Sequence, residues 1–228
     1  WNDASGTFTP SDGLITLNNS SSKTIQQGGS NSFYNLVIYD NAQRTLSSTT
    51  TLDINGYLKI YSGATLNISS GNAMEIAGDF EIYGTFTATN ETITLDGSGA
   101  QTLFHPSLAN STGLSNNSVN VVIDNSGGTV TLGKDLTIND FTITNGTFAM
   151  SSNMSIAGDW SDAGTLTANT STVTFNGSGA QTITSGGSTF YSLVNSNTNS
   201  TVSLSDAFIL NGSGTLTIDN AAIFSLNG

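Results

Sequence analysis

Hydrophobic and polar side chains alternate along the chain in short runs. Leu58–Ile60, Phe80–Ile82 and Leu216–Ile218 each place two apolar side chains on one face and a polar side chain on the other. Turn signals such as Asn55-Gly56 separate these runs. No apolar stripe with the helical period of 3.6 residues is long enough to indicate a helix. The pattern predicts an all-β chain built from many short strands.

The chain also repeats itself over a long period. Residues 84–88 (GTFTA) and 96–103 (DGSGAQTL) recur as 164–168 (GTLTA) and 176–183 (NGSGAQTI), and a looser copy begins at Gly6. The copies open at Gly6, Gly84 and Gly164, which gives a long repeat of roughly 78–80 positions. Stacked repeats share one continuous core, so we expect a single body over 1–228. Its repeat units are 1–83, 84–163 and a truncated 164–228.

A shorter period lies inside each unit. A pattern of alternating apolar residues around a glycine recurs after 22 positions, as Ile54, Gly56, Leu58 and Ile60 and then as Ile76, Gly78, Phe80 and Ile82. A coil of about 20 residues with three short strands is typical of a parallel β-helix, or β-solenoid. We expect about eleven coils, with a length on the order of 50 Å at a strand spacing of about 4.8 Å. A string of antiparallel β-sandwiches is the alternative, but it leaves the shift of 22 unexplained.

Composition narrows the possible partners and location. Only 9% of the residues are charged, and 4 basic residues face 16 acidic ones, which gives a net charge of −12. Such a chain is repelled by phosphate backbones and anionic membranes, so we expect no nucleic-acid partner. No apolar run approaches the ~18 residues of a membrane helix, so we expect no membrane insertion. Low charge and a surface rich in Ser, Thr and Asn predict a secreted, extracellular or cell-surface protein.

The succession GTFTA, TVTFNGSGAQTI, FYNL, LTIN and IAGDW resembles the long repeats of secreted bacterial surface proteins. These are the β-solenoid adhesins of the filamentous-haemagglutinin and autotransporter-passenger kind. The resemblance covers nearly the whole chain. It implies a structural or adhesive role outside the cell, and it brings no catalytic or binding residue with it.

The two ends lack the polar capping repeat that a free solenoid needs. Open strand edges pair readily with another chain, so we expect either neighbouring repeats of a longer chain or a filament in which copies stack head to tail. The residues predicted for this self-association are Trp1, Asn2, Phe8, Ile223, Phe224 and Leu226.

The sequence offers few candidate catalytic residues. Two carboxylate pairs, Asp79 with Glu81 and Asp159 with Asp162, could hydrolyse sugars if held about 5–9 Å apart. Both pairs follow Gly-Asp turns at equivalent repeat positions, which favours a structural role. His105, the single histidine, is expected in an exposed loop. With no cysteine and no nucleophile motif, we expect no enzyme.

Three other features of the sequence could bind a metal ion or another ligand. Asp96 begins a Gly-rich turn whose oxygen atoms are suitable ligands for calcium. No calcium-loop motif is present, however, and the geometry of a turn is enough to account for the glycines. We therefore expect no cofactor. The segment 104–118 holds an insertion of about seven residues relative to the third unit, and insertions in solenoids form loops on one face. Aromatic side chains that could stack on sugars are Tyr34, Tyr57, Tyr61, Tyr83 and Tyr191.

The function expected from these observations is structural: a rigid rod in a surface adhesin, or a filament subunit. The alternative is a polysaccharide- or host-binding adhesin domain that uses a side face or the 104–118 insertion as its contact. A β-helix carbohydrate-active enzyme is a third and less favoured hypothesis. An ice-binding role needs a threonine row in every coil, whereas Thr85 and Thr87 recur only once per unit.

Overall fold

The computed structural model describes residues 2–3, 8, 10–27, 31–39, 41–46, 51–68, 71–105 and 113–226. These residues form 28 strands, numbered β1–β28 in chain order, and no helix. The strands pair in parallel with partners one turn away and wind into a β-solenoid of about nine turns. The predicted fold, an all-β parallel β-solenoid, is therefore confirmed.

Each complete turn contributes a strand to each of three faces, and two long strands, β15 (Asn120–Leu132) and β17 (Phe141–Met150), bend across two of them. The first face holds β2 (Leu14–Leu17), β4 (Asn35–Ile38), β7 (Leu58–Ile60), β10 (Phe80–Ile82), β13 (Gln101–Leu103), residues 130–132 of β15, residues 147–150 of β17, β20 (Thr165–Thr167), β23 (Thr189–Phe190) and β26 (Ile209–Leu210).

The second face holds β6 (Leu52–Ile54), β9 (Ala73–Ile76), β12 (Thr92–Leu95), residues 120–123 of β15, residues 141–143 of β17, β19 (Trp160–Asp162), β22 (Gln181–Thr184), β25 (Thr201–Leu204) and β28 (Ile223–Ser225).

The third face holds β1 (Asn2–Asp3), β3 (Lys23–Gln27), β5 (Gln43–Leu46), β8 (Thr65–Ile68), β11 (Thr85–Thr87), β14 (Leu114–Ser115), β16 (Leu136–Ile138), β18 (Met154–Ile156), β21 (Thr172–Phe175), β24 (Ser192–Asn195) and β27 (Leu216–Ile218). Its ladder is divided between β11 and β14, and β14 lies within the 104–118 segment.

The alternation along the sequence sets which side chains form the core. In β7, Leu58 and Ile60 are fully buried while Lys59 points outward. The same inward positions on successive turns make continuous ladders of Ile, Leu, Val and Phe. No single turn can bury such a face alone, so the stability of each turn comes from its neighbours.

The predicted number of eleven coils was too high. That number rests on coils of about 20 residues, but the spacing of registered partners is uneven: Val130 pairs with Phe148, Leu36 with Leu58 and Gln101 with Val130. The long turn between Gln101 and Val130 takes up residues that would otherwise form further turns. Nine turns at about 4.8 Å per strand give a body roughly 43 Å long, not 50 Å.

The long repeat is not a whole number of turns. Phe80 lies on the first face, between Leu58 and Leu103, whereas its equivalent Trp160 lies on the second face beside Phe141. When β15 and β17 are each counted as two segments, β19 is the eleventh strand segment after β10, and at three segments per turn this distance equals about three and two-thirds turns. Each successive repeat unit is therefore rotated by one face about the solenoid axis, which also places the repeated threonines of β11 and β20 on different faces.

Candidate functional site

The repeated GSGAQT motif builds a buried corner around its glutamine. Gln181 is 1% exposed, and its Nε2 donates to the carbonyl oxygens of Ile156 (2.9 Å) and Gly158 (2.6 Å). Its Oε1 accepts hydrogen bonds from the N–H of Gly177 (2.9 Å) and from Asn197 Nδ2 (3.1 Å). A side chain with four satisfied hydrogen bonds in a buried corner holds two neighbouring turns together.

The earlier copy of the motif forms the same corner. Gln101 Nε2 donates to the carbonyl oxygens of Ile76 and Gly78, each at 2.8 Å. Gln101 Oε1 accepts from Gly97 N–H (3.0 Å) and from Asn125 Nδ2 (2.7 Å). The repeated motif therefore has a structural role, and it forms the same hydrogen bonds around Gln101 on the first face and around Gln181 on the second.

Three carboxylates of the predicted pairs contact the neighbouring turn. Asp79 Oδ1 accepts the backbone N–H of Thr102 at 2.7 Å, and Asp159 Oδ1 accepts that of Thr182 at 2.7 Å, so both carboxylates join consecutive turns. Glu81 instead contacts Lys59 on the preceding turn. These contacts match the structural role that the sequence favoured over hydrolysis.

Asp162 occupies an unusual place inside the solenoid. It takes the inward position that Ile82 has one unit earlier, and its side chain is 3% exposed. Oδ1 accepts the N–H of Gly164 at 2.8 Å, while Oδ2 is buried away from water. Burial raises the pKa of this carboxyl above its ordinary value, and polar contacts with Ser188 and Gly164 offset only part of that effect.

Three other predicted features can be placed only in part. His105 is half-buried, not exposed as expected, at the start of the inserted segment. Residues 106–112 of the insertion lie outside the described residues, while Phe104 on one side is buried against Phe80. Asp96 lies in the corner held by Gln101, and calcium binding there stays the less favoured alternative. Within the described part of the chain, no group of three or more His, Asp and Glu side chains could hold a metal ion.

The most distinctive surface of the described chain is a groove on the first face, which we call the tyrosine groove. It has a volume of about 340 Å³ and is lined by Leu14, Thr16, Val37, Tyr39, Tyr57, Lys59 and Tyr61. Backbone register places Thr16, Val37 and Lys59 on three successive turns, so the floor of the groove runs along the solenoid axis. Tyr57 and Tyr61 stand on either side of Lys59 because outward positions alternate along the chain.

One wall of the groove is a row of tyrosines stacked across turns. The ring centroids of Tyr39 and Tyr61 are 4.9 Å apart with the rings edge to face, and those of Tyr61 and Tyr83 are 5.7 Å apart and nearly parallel. Tyr39 is 48% exposed and Tyr61 38% exposed, whereas Tyr83 is half-buried. A second recess beside this row is lined by Tyr39, Tyr61, Asn41 and Ser62.

Charged groups near the groove neutralise one another. Lys59 Nζ lies 3.1 Å from Glu81 Oε1 and 4.9 Å from the centroid of the Tyr57 ring. The hydroxyl of Tyr83 donates to Glu81 Oε2. Burial, together with this hydrogen bond to Glu81, raises the pKa of Tyr83 well above its ordinary value, so the phenol stays protonated.

Sequence reasoning named Tyr57, Tyr61 and Tyr83 but missed Tyr39, the most exposed member of the row. Tyr39, Tyr61 and Tyr83 recur with the same shift of 22 that relates Ile54 to Ile76. This spacing could have identified Tyr39 as a member of the row from the sequence alone. Tyr34 and Tyr191, the other two candidates, are half-buried and lie outside this groove, and Tyr191 packs against the core.

The last described turns expose apolar side chains at the end of the solenoid. Ile223 is 59% exposed, Leu226 70% and Ile218 47%, while Phe224 is half-buried against the core. A file of aromatic rings leads to this end: the centroid separations are 4.8 Å from Phe141 to Trp160, 5.0 Å from Trp160 to Phe190, 5.8 Å from Phe190 to Phe208 and 6.3 Å from Phe208 to Phe224. We call residues 209–226 the apolar end.

The predicted self-association residues at the other end are less accessible. Trp1 lies outside the described residues, and Asn2 pairs with Gln26 in a strand ladder. Phe8 is half-buried, with its ring centroid 6.0 Å from that of Phe33 and its N–H donating to Asn31 Oδ1 at 3.0 Å. Phe8 therefore takes part in packing within the chain.

Comparisons with known proteins found no similarity. No protein-family model matches the chain, and neither the curated proteins nor the solved structures contain a significant match. Across the described residues there is no helix long and apolar enough to cross a membrane.

Proposed function

We propose that this chain is a rigid structural module of an extracellular surface protein or filament. The observation that carries the proposal is the apolar end, where Leu216 and Phe224 lie in register with the core residues Leu193 and Val202, and yet Leu216 is 38% exposed and Phe224 only half-buried. In the interior of the solenoid the same positions are covered by the next turn. Exposed ladder residues beside open strand edges are suited to receive another turn.

A second copy stacked end to end is the partner that this surface fits best. The aromatic file ends at Phe224, whose ring contacts Phe208 on one side and is half-buried, so a ring from a stacked turn would extend it. The low proportion of charged residues and the hydroxyl-rich surface support the extracellular setting.

Sedimentation over a range of protein concentrations tests the proposal. We expect wild type to associate as concentration rises and the variant Leu216→Lys to remain monomeric, because Leu216 occupies a core-ladder position and a charge there would be buried in the contact. Thr167→Lys is the matched control, since it adds the same charge at an exposed position on a side face. A wild-type protein that is monomeric at every concentration, or equal association by both variants, would contradict self-stacking.

A further inference from the structure

The tyrosine groove has the character of a binding site that the rod function does not require. Tyr39 and Tyr61 are 48% and 38% exposed at outward positions, which polar residues such as Lys59 and Thr65 fill elsewhere on these turns. Apolar Leu14, which is 53% exposed, adds to the same patch. Concave surfaces that combine aromatic side chains with a few polar groups are the usual form of ligand sites.

The electrostatics of the groove select an uncharged ligand. The Lys59 ammonium is compensated by Glu81, and the phenol of Tyr83 is kept neutral, so the floor and wall carry no net charge. The net charge of the whole chain, −12, repels polyanions. Polycations would gather at the acidic row of the second face, where Asp53 and Glu75 are neighbours in register, and not at the groove.

The lining suits a molecule that has both apolar faces and hydroxyl groups. Tyrosine offers a flat apolar ring and a hydroxyl in one rigid side chain, at low cost in conformational entropy. Thr16, Asn41 and Ser62 add neutral donors and acceptors beside the rings. A pyranose ring presents complementary chemistry, with C–H groups on its faces and hydroxyls around its rim.

From these observations we propose that the tyrosine groove binds an uncharged polysaccharide whose chain lies along the solenoid axis. Successive sugar rings contact Tyr39 and Tyr61 through their C–H faces, and their hydroxyls exchange hydrogen bonds with Thr16 and Lys59. Since the floor crosses three turns in register, an extended chain is preferred over a single sugar. This proposal does not depend on end-to-end stacking.

Affinity electrophoresis through gels that contain dissolved polysaccharides tests the proposal. The panel consists of neutral chains (a mixed-linkage glucan, a xylan, a galactomannan and a dextran) with anionic alginate and cationic chitosan as the charged comparison. We expect at least one neutral chain to retard wild type, and Tyr39→Ala and Tyr61→Ala each to weaken the apparent affinity by about tenfold, which corresponds to about 1.4 kcal/mol. Tyr61→Phe, which keeps the ring, should lose less.

Thr182→Ala, at an exposed position on the second face, is the matched control and should bind like wild type. Thermal unfolding of each variant separates lost binding from lost folding. Because Tyr61 packs against Tyr39 and Tyr83, we expect the alanine variants to melt at a slightly lower temperature and still to fold. The proposal is overturned if no neutral polysaccharide retards the protein, if only charged chains do, or if folded tyrosine variants bind like the control. Sedimentation of the same variants reports on stacking separately.

Discussion

Asn197 donates a hydrogen bond from Nδ2 to Oε1 of Gln181 at 3.1 Å, deep in a corner of the solenoid. Asn125 makes the same contact with Gln101 at 2.7 Å one repeat unit earlier. The two asparagines do not occupy equivalent sequence positions, because they follow their glutamines by 16 and 24 residues. Turns of different length bring different residues to the same corner.

Loss of this glutamine should destabilise the solenoid severely. Gln181→Leu removes the glutamine partner of the Gly177 N–H and the Gly158 carbonyl oxygen, at about 1–3 kcal/mol for each group left unpaired, whereas the Ile156 carbonyl oxygen still accepts the N–H of Asn176. We expect the free energy of unfolding, measured by urea titration, to fall by about 3 kcal/mol or more. Thr182→Ala, the exposed neighbour, should change it by less than about 0.5 kcal/mol. Similar stability of the two variants would show that the corner is not important.

The two glycines of one GSGAQT copy should respond differently to alanine. A Cβ added to Gly177 would lie 2.1 Å from the carbonyl oxygen of Ala157, a backbone atom that cannot move aside, whereas a Cβ at Gly179 would meet nothing within 4 Å. We expect Gly177→Ala to lower the free energy of unfolding by about 2 kcal/mol or more, as overpacking does. Gly179→Ala should be neutral or slightly stabilising. Equal effects at both sites would refute the close approach seen at Gly177.

Much of this architecture could be predicted from the sequence, and the reason is physical. The alternation in β21, where Val173 and Phe175 are buried and Thr172 and Thr174 are not, follows directly from the period of two. The side-chain contacts that join one turn to the next could not be predicted from this alternation. The partner of Gln181 and the rotation of Trp160 onto another face both depend on turn lengths, which are set by corners that carry no periodic signal.

Mild acidification should stabilise the protein. Burial raises the pKa of Asp53, Glu91, Asp96 and Asp162, and neighbouring carboxylates add to the effect at Asp53 and Asp96. A carboxyl with a raised folded-state pKa contributes stability that is complete below its unfolded pKa, near 4, and is lost as the pH rises through the folded value. We therefore expect the melting temperature to rise as the pH is lowered from 7 towards about 4.

One carboxyl acts in the opposite direction. Burial tends to raise the pKa of Asp206, but hydrogen bonds from the N–H groups of Ser185 and Gly186 outweigh it and lower the pKa below the ordinary 3.8. Its contribution is lost only as the pH falls through that lowered value, and so it does not oppose the gain above pH 4. A melting temperature that falls steadily between pH 7 and pH 4 would contradict this account.

Asp162 offers the sharpest test of the pH dependence. Asp162→Asn removes the buried charge and keeps an oxygen that can accept the N–H of Gly164. We expect this variant to unfold at a higher temperature than wild type at pH 7 and to gain less on acidification, because burying a charge without a counter-ion is costly. Asp159→Asn, at the exposed acidic position on the same turn, is the control. An unchanged pH dependence in Asp162→Asn would show that Asp162 is not a source of it.

The candidate surfaces were harder to foresee than the fold. Ile223, Phe224 and Leu226 were predicted from the absence of a polar cap, and the structure shows them half-buried or exposed at the apolar end. The tyrosine groove was not predicted as a unit. Tyr39 and Tyr57 belong to different turns, and they line one groove only because the winding brings those turns into register.

Electron microscopy of the purified protein at rising concentration tests the rod function most directly. Stacking through the apolar end predicts unbranched filaments with an axial repeat of roughly 43 Å per copy, from about nine turns at about 4.8 Å each. Leu216→Lys should yield short separate rods under the same conditions, and Thr167→Lys should form filaments. Monodisperse short rods from wild type at every concentration would contradict the proposal that copies of this chain stack end to end.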